Sequence, residues 1–453
     1  MLFLIAFSAR FLFATLAFPL AVTYAGLNKG SDGYERIAQN LIEGHGFRVF
    51  PDSAPTTLRV PMYPLFLAGI YAVFGGRLWV VQIFQSVLGG VTTVVVAIIA
   101  LRFFGTRPAW LAGLAYAFYP GDLVACSRYL TEPLAILFLM LAVVCFERVR
   151  CRPTAAGGAL LGLLIGLAAG TQNAFAFLLP VYCMALFLSR EFRGQWKRGV
   201  AAMAAAGVVC VAVVAPWTWR AFELTGHFVY PSTLGGHAVH DGYVVAEGLS
   251  SGEPVHALLE RARKIARTMA RENGLEFHPR DRFSWVMYTA EDEYALDRLL
   301  KAKVLGLTVQ DPVGAGERAL MGLARFWYLG RTTRATWVGA LIHVPLLVLA
   351  AIGAIRAIQM GADGVWLWVA IIGYFNVISG IILPLVRYAT PVMPFVVILA
   401  ASLAVRRRRG VEARSDIRHR AIYATSRPGD RDLLMEGGAT MTSPSAIFGT
   451  WVP

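Results

Sequence analysis

The sequence predicts an all-α polytopic membrane protein of about ten transmembrane helices, with interfacial helices in its first outer loop and a small helical cap on the outer face. Three observations carry this expectation. Of 453 residues, 57% are hydrophobic and 15% charged, with a mean hydropathy of +0.57; a soluble chain carries roughly 25% charged residues. The apolar residues gather into runs long enough to cross a hydrocarbon core of about 30 Å, which takes about 20 residues of helix. The basic residues, finally, are sorted to one side of those runs.

The runs lie at 2–27, 78–101, 108–121, 129–147, 155–170, 173–189, 199–219, 336–356, 364–384 and 386–405. Arg102 to Arg107, Arg148 to Arg152, Arg190 to Arg198, the turn at Arg356 and the tail from Arg406 then share one face. That face holds the clusters Arg148/Arg150/Arg152, Arg190/Arg193/Lys197/Arg198 and Arg406 to Arg409. On the opposite face, Gly121 to Arg128 has one basic residue and Gly170 to Asn173 none. The asymmetry predicts a multi-pass protein of the plasma (inner) membrane with both termini cytoplasmic. The Asp32 loop and the segment Arg220 to Ala335 then face outward. The net charge of +14 is absorbed by this topology, and no nucleic-acid partner is expected.

The organisation that follows is a catalytic membrane module at 1–219 with its first outer loop at 28–77, a helical cap at 220–335, C-terminal spans at 336–405, and a basic, disordered tail at 406–453. The first span lacks the basic n-region and cleavage site of a signal peptide. It carries Arg10, which requires a partner within the bundle. The five cysteines, Cys126, Cys145, Cys151, Cys183 and Cys210, lie in or beside apolar runs without metal-ligand spacing. They read as small buried hydrophobes.

In the first outer loop, Asp32 to Glu43 has helical periodicity: Tyr34, Ile37, Ala38, Leu41 and Ile42 on one face, Glu35, Arg36, Gln39 and Asn40 on the other. It reads as an interfacial amphipathic helix capped by Ser31 or Asp32. Pro61 to Gly75 is apolar but too short to span, hence re-entrant or interfacial. In the cap, Glu253 to Arg271 and Tyr288 to Lys303 read as amphipathic helices with i,i+4 charge pairs.

An acid held at the bilayer surface points to chemistry on a lipid-borne substrate, and the residues around it form an ordered set. Asp32…Tyr34…Ala38-Gln39-Asn40-Leu41…Gly44-His45-Gly46-Phe47 is followed by Arg59-Val60-Pro61-Met62-Tyr63-Pro64 and Phe74-Gly75. Then come Tyr119-Pro120, Thr131-Glu132-Pro133, Pro216-Trp217-Thr218-Trp219-Arg220, Ser232-Thr233-Leu234-Gly235-Gly236 and Arg387-Tyr388-Ala389-Thr390-Pro391. Over roughly 1–405 this order resembles GT-C glycosyltransferases of the group containing the dolichyl-phosphate-mannose protein mannosyltransferases and the lipid A aminoarabinose transferases.

The resemblance implies a GT-C bundle that moves a sugar, on the extracytoplasmic side, from a polyprenyl-phosphate donor to a hydroxyl of a lipid, protein or glycan acceptor. Asp32 is the candidate catalytic base, although helix capping would also explain it. Many relatives have a second acid directly after the first, where this chain has Gly33, and a basic residue where it has Gln172-Asn173. Glu35 can serve as the second acid or simply face solvent. No cofactor or metal is expected, and membrane lipid is a partner. Arg59 suits bidentate phosphate binding or interfacial snorkelling, and Tyr63 suits donor binding or an aromatic belt. Glu132, at the outer end of the fourth span, can orient Arg59 or the sugar, or stabilise a helix N-terminus; Arg128 can pair with it or with phosphate. Arg220, and Arg387 with Tyr388, run against the positive-inside bias and are candidate phosphate ligands. Ser232 to Gly236 reads as a flexible, sugar-contacting stretch, and His237, His240 and Asp241 as a weak zinc set. A transporter of lipid-linked saccharides or a non-catalytic scaffold would suit the same interfacial cations.

Overall fold

The N-terminal span is one continuous rod: α1 (Leu2–Leu12), a π-helical turn (Phe13–Ala17) and α2 (Phe18–Ala25). This computed structural model describes residues 1–25, 32–281 and 285–405. Ser31, expected as a cap, and the tail from Arg406 lie outside the described residues. Arg10 has its partner: it is fully buried and ion-paired at 2.6 Å to Asp122, which is 1% exposed. Its remaining donors go to the carbonyls of Ala6, Tyr116 and Ala117. The guanidinium passes over Gly89, where a Cβ would overlap it.

The first outer loop contains α3 (Tyr34–Ile42) and α4 (Met62–Phe74). Asp32, the described one of the two expected residues, does not cap α3. The N-cap is Gly33, at φ 86°, a left-handed turn that a side chain adopts only under strain. That turn sends Asp32 away from the helix it was expected to cap.

The long helix α5 (Leu78–Phe104) crosses to the far face and α6 (Thr106–Ala117) returns. The expected third span is shorter than predicted: twelve residues make about 18 Å of helix. Tyr119–Pro120 breaks it, and Pro120 opens α7 (Pro120–Cys126), which delivers Asp122 to Arg10. Next come α8 (Glu132–Cys151), α9 (Ala155–Thr171), a short turn at Asn173–Phe175, α10 (Leu178–Leu188), α11 (Arg190–Gly194) and α12 (Trp196–Thr225). Small residues drive the α9–α12 contact. Cβ atoms at Gly158 and Gly162 would fall inside the carbonyls of Ala202 and Ala206, and one at Gly166 would lie 2.9 Å from Val213. This four-residue spacing lets two backbones touch where lipid gives side chains no hydrophobic reason to associate.

The cap comprises α13 (Gly235–Gly248), α14 (Val255–Glu272), α15 (Ala290–Gln310) and α16 (Pro312–Arg325). The chain then re-enters the bundle through α17 (Thr333–Gln359), α18 (Val365–Ile382), a 3₁₀ segment (Val386–Val392) and α19 (Met393–Ala401). Trp368, Phe375, Phe395, Phe146 and Tyr182, all fully buried or nearly so, form the heart of the bundle core. Among the described residues there is no strand, only a bridge between Phe277 and Met287.

Six stretches are long and apolar enough to cross a membrane: Leu2–Leu20, Leu78–Phe104, Trp196–Thr225, Thr333–Gln359, Val365–Ile382 and Val386–Ala404. Met62–Phe74, Ala155–Thr171 and Asn173–Leu188 are shorter apolar helices. The end of α2 and the starts of α5, α8 and α17 point to one face of this multi-pass bundle, called here the Asp32 face.

Candidate active site

Arg387 is the hinge of the site. The 3₁₀ segment after α18 brings its guanidinium between two acids: Nη2 donates to Asp32 at 3.0 Å and Nε to Glu132 at 2.6 Å. Glu132 is 1% exposed, Asp32 21% and Arg387 25%. One acid is therefore an internal anchor, and the other is about one-fifth exposed. Burial alone would raise the Asp32 carboxyl, but Arg387, then Arg59 and Arg331, outweigh it and hold it down to about 2.

Three further arginines surround this pair. Arg59 is 8% exposed, its guanidinium stacked 5.1 Å from the Tyr34 ring and 4.9 Å from Trp285. Burial pushes the Tyr34 hydroxyl up to about 12, with Arg59 opposing and Asp32 reinforcing, so it is a neutral donor. Arg128 lies below its ordinary pKa through burial and then the repulsion of Arg387. Arg331, from the loop between α16 and α17, is exposed and within electrostatic reach of Asp32, Arg128 and Tyr388. Four arginines against Asp32 and Glu132 leave an excess of two positive charges at the surface of an apolar bundle.

Arg128 also closes one end of a cavity of about 360 Å³. Its walls are Ala14, Phe18, Pro19 and Val22 of the N-terminal span and Leu78 and Trp79 of α5; Thr15, Gln82, Ser127 and Tyr129 complete the lining. The π-helical turn supplies Ala14 and Thr15. The polar end is held from behind: Gln82 donates to the Ser127 carbonyl at 2.9 Å, and Gln85 to those of Cys126 and Arg128 at 3.0 and 2.7 Å.

The structure thus brings Asp32, Tyr34, Arg59, Arg128, Glu132, Arg387 and Tyr388 together. It does not bring Glu35 or Arg220 to the same contact, and Tyr63 reaches it only by packing edge-on against the Tyr34 ring, 5.1 Å between centroids. Tyr63 is fully buried, and its hydroxyl donates to Gln85 at 2.7 Å. It supports the Arg128 loop rather than lining an open surface. Glu35 lies within electrostatic reach of Tyr71 and Tyr129, with one buried carboxylate oxygen that makes no hydrogen bond. Arg220 donates to the carbonyls of Thr56 and Phe47 at 3.0 and 3.3 Å and stacks on Phe47 and Trp217. It braces the first outer loop.

The Ser232 to Gly236 stretch is locked rather than flexible. Ser232 accepts from Asn173 at 2.7 Å, Thr233 meets Thr57 at 3.0 Å between hydroxyls, and the Gly236 amide donates to Asp297 at 2.6 Å. Glu293 on α15 ties in beside it, accepting from the Thr56 hydroxyl at 2.8 Å and the Thr57 amide at 2.9 Å. Burial raises Glu293 to about 7 against the pull of those donors and of Arg220. His237 and His240 are buried on α13, and burial takes His237 down to about 4. Among the described residues, no three His, Cys, Asp or Glu side chains stand together as metal ligands.

Sequence reasoning missed Arg331 and Asp122. Arg331 carried the signal that singled out Arg220 and Arg387, a cation at the outer end of a span. Asp122 carried none beyond being an acid in a charge-poor loop.

Residues 54–219 match the family model described as dolichyl-phosphate-mannose-protein mannosyltransferase. No curated protein matches the chain. Among solved structures, the oligosaccharyltransferase AglB of Archaeoglobus fulgidus, crystallised with an inhibitory peptide and a dolichol-phosphate, has 14% identity and a TM-score of 0.53. The match covers 93% of this chain, which spans about half (54%) of AglB. ArnT of Cupriavidus metallidurans, solved with undecaprenyl phosphate bound, shows 17% identity and a TM-score of 0.38 over 85% of this chain and 76% of its own. Over its matched segment the chain is thus similar to the dolichyl-phosphate-mannose-protein mannosyltransferase family, and it shares its fold with the part of the oligosaccharyltransferase's length that it covers.

Proposed function

We propose that the chain transfers a sugar from a polyprenyl-phosphate donor to an acceptor hydroxyl at the Asp32 face, on the extracytoplasmic side, with Asp32 as general base. The observation that carries this reading is the surplus of two positive charges around a partly exposed carboxylate, at the polar end of an apolar groove. A polyprenyl phosphosugar carries one negative charge, while the polyprenyl phosphate that leaves carries about −1.5 to −2 near pH 7, as phosphate monoesters do. The cluster therefore matches the charge of the departing group better than that of the bound donor. Such a match lowers the barrier rather than merely tightening binding.

In this mechanism Arg59, Arg128 and Arg331 receive the phosphate, and the groove lined by the N-terminal span and α5 takes the first part of the isoprenoid chain. The incoming phosphate shares Arg387 with Asp32 and relieves the hold on that carboxylate. Asp32 then accepts the acceptor's proton as its oxygen forms a bond to C1 of the sugar. The C1–O bond to phosphate breaks with its electron pair on the phosphate oxygen, and direct displacement inverts the anomeric centre. Glu132 keeps Arg387 in place throughout, and the neutral Tyr34 hydroxyl is available to donate to sugar or phosphate. This role for Asp32 is independent of the second acid of related chains, whose place is taken by the turn-forming Gly33.

The test uses purified protein in nanodiscs with radiolabelled polyprenyl-phosphate sugars and an envelope extract as acceptor source. Transfer that is lost in Asp32→Asn while folding is retained supports the reading. Movement of the sugar lipid across liposomes without transfer would replace it with a transporter.

A further inference from the structure

Beyond Val304, the cap hairpin formed by α15 and α16 has an apolar face that the described residues do not cover. Leu305, Val309, Val313 and Leu320 are 65–73% exposed and Met321 is 50% exposed. As far as Val304, α15 is ordinary cap, with Leu296, Leu300 and Val304 buried. From Leu305 to Gln310 it buries no side chain. A hairpin of this kind surrounded by water would be an aggregation site.

Its position in the fold indicates what covers it. α16 packs along the end of α18, an apolar helix long enough to cross a membrane. A Cβ at Gly322 would fall inside the Gly380 carbonyl, and Asn376 Nδ2 donates to the Leu323 carbonyl at 2.9 Å. Asn376 lies six residues before Ile382, where α18 ends, or about 9 Å down that helix at 1.5 Å per residue. Amphipathic helices in a bilayer interface bury their apolar face about 5–10 Å. Trp219 near the end of α12 and Trp337 near the start of α17 are 63% and 73% exposed, as indoles anchored at a membrane interface are. Lys303 and Arg334, in and after the hairpin, are exposed and suit lipid phosphates.

We infer that the 305–321 hairpin is seated in the lipid leaflet on the Asp32 face, with Leu305, Val309, Val313, Leu320 and Met321 among the upper acyl chains. The seat bears on the site because the chain continues from α16 directly to Arg331. The Leu329 carbonyl accepts from the Val386 amide at 2.8 Å, tying the Arg331 loop to the backbone beside Arg387. Lipid contact thereby sets the height of both arginines. The inference does not depend on the transferase reading, since it concerns where the hairpin sits and not what the arginines bind.

The experiment places an environment-sensitive fluorophore on single cysteines at Val309, Val313 or Leu320, with Glu272→Cys on the exposed part of the cap as control. The background is Cys151→Ser with Cys183→Ser, and the protein is reconstituted in nanodiscs with spin-labelled phospholipid. Blue-shifted emission at the hairpin, quenched several-fold more strongly than at the control, is the expected result. Emission and quenching equal to the control overturn the inference. So does a blue shift without lipid quenching in a dimeric species, which would make a second copy the cover. Should the labelled variants misfold, the unmodified chain is exposed to a lipid bearing a photoactivated carbene. Labelling of the 304–325 peptides at the level of α17 and α18 supports the seat, and their absence from the labelled set overturns it.

Discussion

Replacing Asp32 by Asn tests the base through its pH dependence as well as its rate. In the free protein Arg387 donates to Asp32 at 3.0 Å and the carboxyl is held at about 2, against an ordinary 3.8. The sign is that of a depressed carboxyl. Its stabilising contribution is complete above about 3.8 and is lost as pH falls through about 2. The difference corresponds to roughly 2 kcal/mol of preference for the charged form. A bound phosphate that shares Arg387 removes part of this preference and lets the carboxyl rise toward its ordinary range. Since kcat/KM reports the free protein and kcat the complex, the acid limb of kcat should lie above that of kcat/KM by up to about two pH units. Neither limb should stand near pH 6. Asp32→Asn should lower kcat by about 10²- to 10⁴-fold. The measurement is initial-rate transfer of radiolabelled sugar across pH in nanodiscs, with thermal unfolding followed in parallel. A limb near pH 6 that vanishes in Asp32→Asn would falsify the clamped-base account. Near-normal turnover by a folded Asp32→Asn protein would remove the base altogether.

Three other perturbations follow from the same geometry. Asp122→Ala leaves the fully buried Arg10 without its counter-ion, so the folded state should lose about 3–5 kcal/mol, read as a fall in melting temperature in nanodiscs; an unchanged melt refutes the buried pair. Gly162→Leu drives a side chain into the Ala206 backbone and should separate α9 from α12, whereas Gly207→Leu, with open space around it, should be tolerated; equal melts would show that the close approach is not needed. Glu293, 4% exposed and raised to about 7 from 4.5, takes up a proton on folding. Its stabilising neutral form is complete below about 4.5 and lost as pH rises through about 7, a change of roughly 3 kcal/mol. Protection of the Thr57 amide, taken relative to the intrinsic acceleration of exchange with pH, should therefore fall between those pH values, and Glu293→Gln should abolish the fall.

Much of this layout was legible because hydropathy and charge are local signals. The membrane-spanning runs, the helix after Asp32, the two amphipathic cap helices and the need of Arg10 for a partner all follow from composition along the chain. What escaped is long-range or conformational. That Arg10 would choose Asp122 depends on the break at Tyr119–Pro120, which looked like the end of a span. Gly33 read as a missing acid, but its left-handed φ is what turns Asp32 from the helix axis toward Arg387. Tyr63 and Arg220 were singled out for their chemistry, and the fold satisfies both with partners of its own, Gln85 for one and the Thr56 and Phe47 carbonyls for the other. Ser232 to Gly236 looked flexible because it is small, yet smallness is what lets the Gly236 amide reach Asp297.

Arg387 stands 255 residues after Glu132 and 355 after Asp32, yet it holds both. A ribosome working at about 5–20 residues per second therefore makes the two acids on the order of half a minute before their common cation. Throughout that interval Asp32 and Glu132 are balanced in charge by Arg59 and Arg128 but lack the guanidinium that joins them, and a chain truncated ahead of Arg387 never acquires it. Synthesis of the 386–392 segment is thus the event that locks the two acids to one another, so the geometry around Asp32 is completed only by nearly the whole of the described chain.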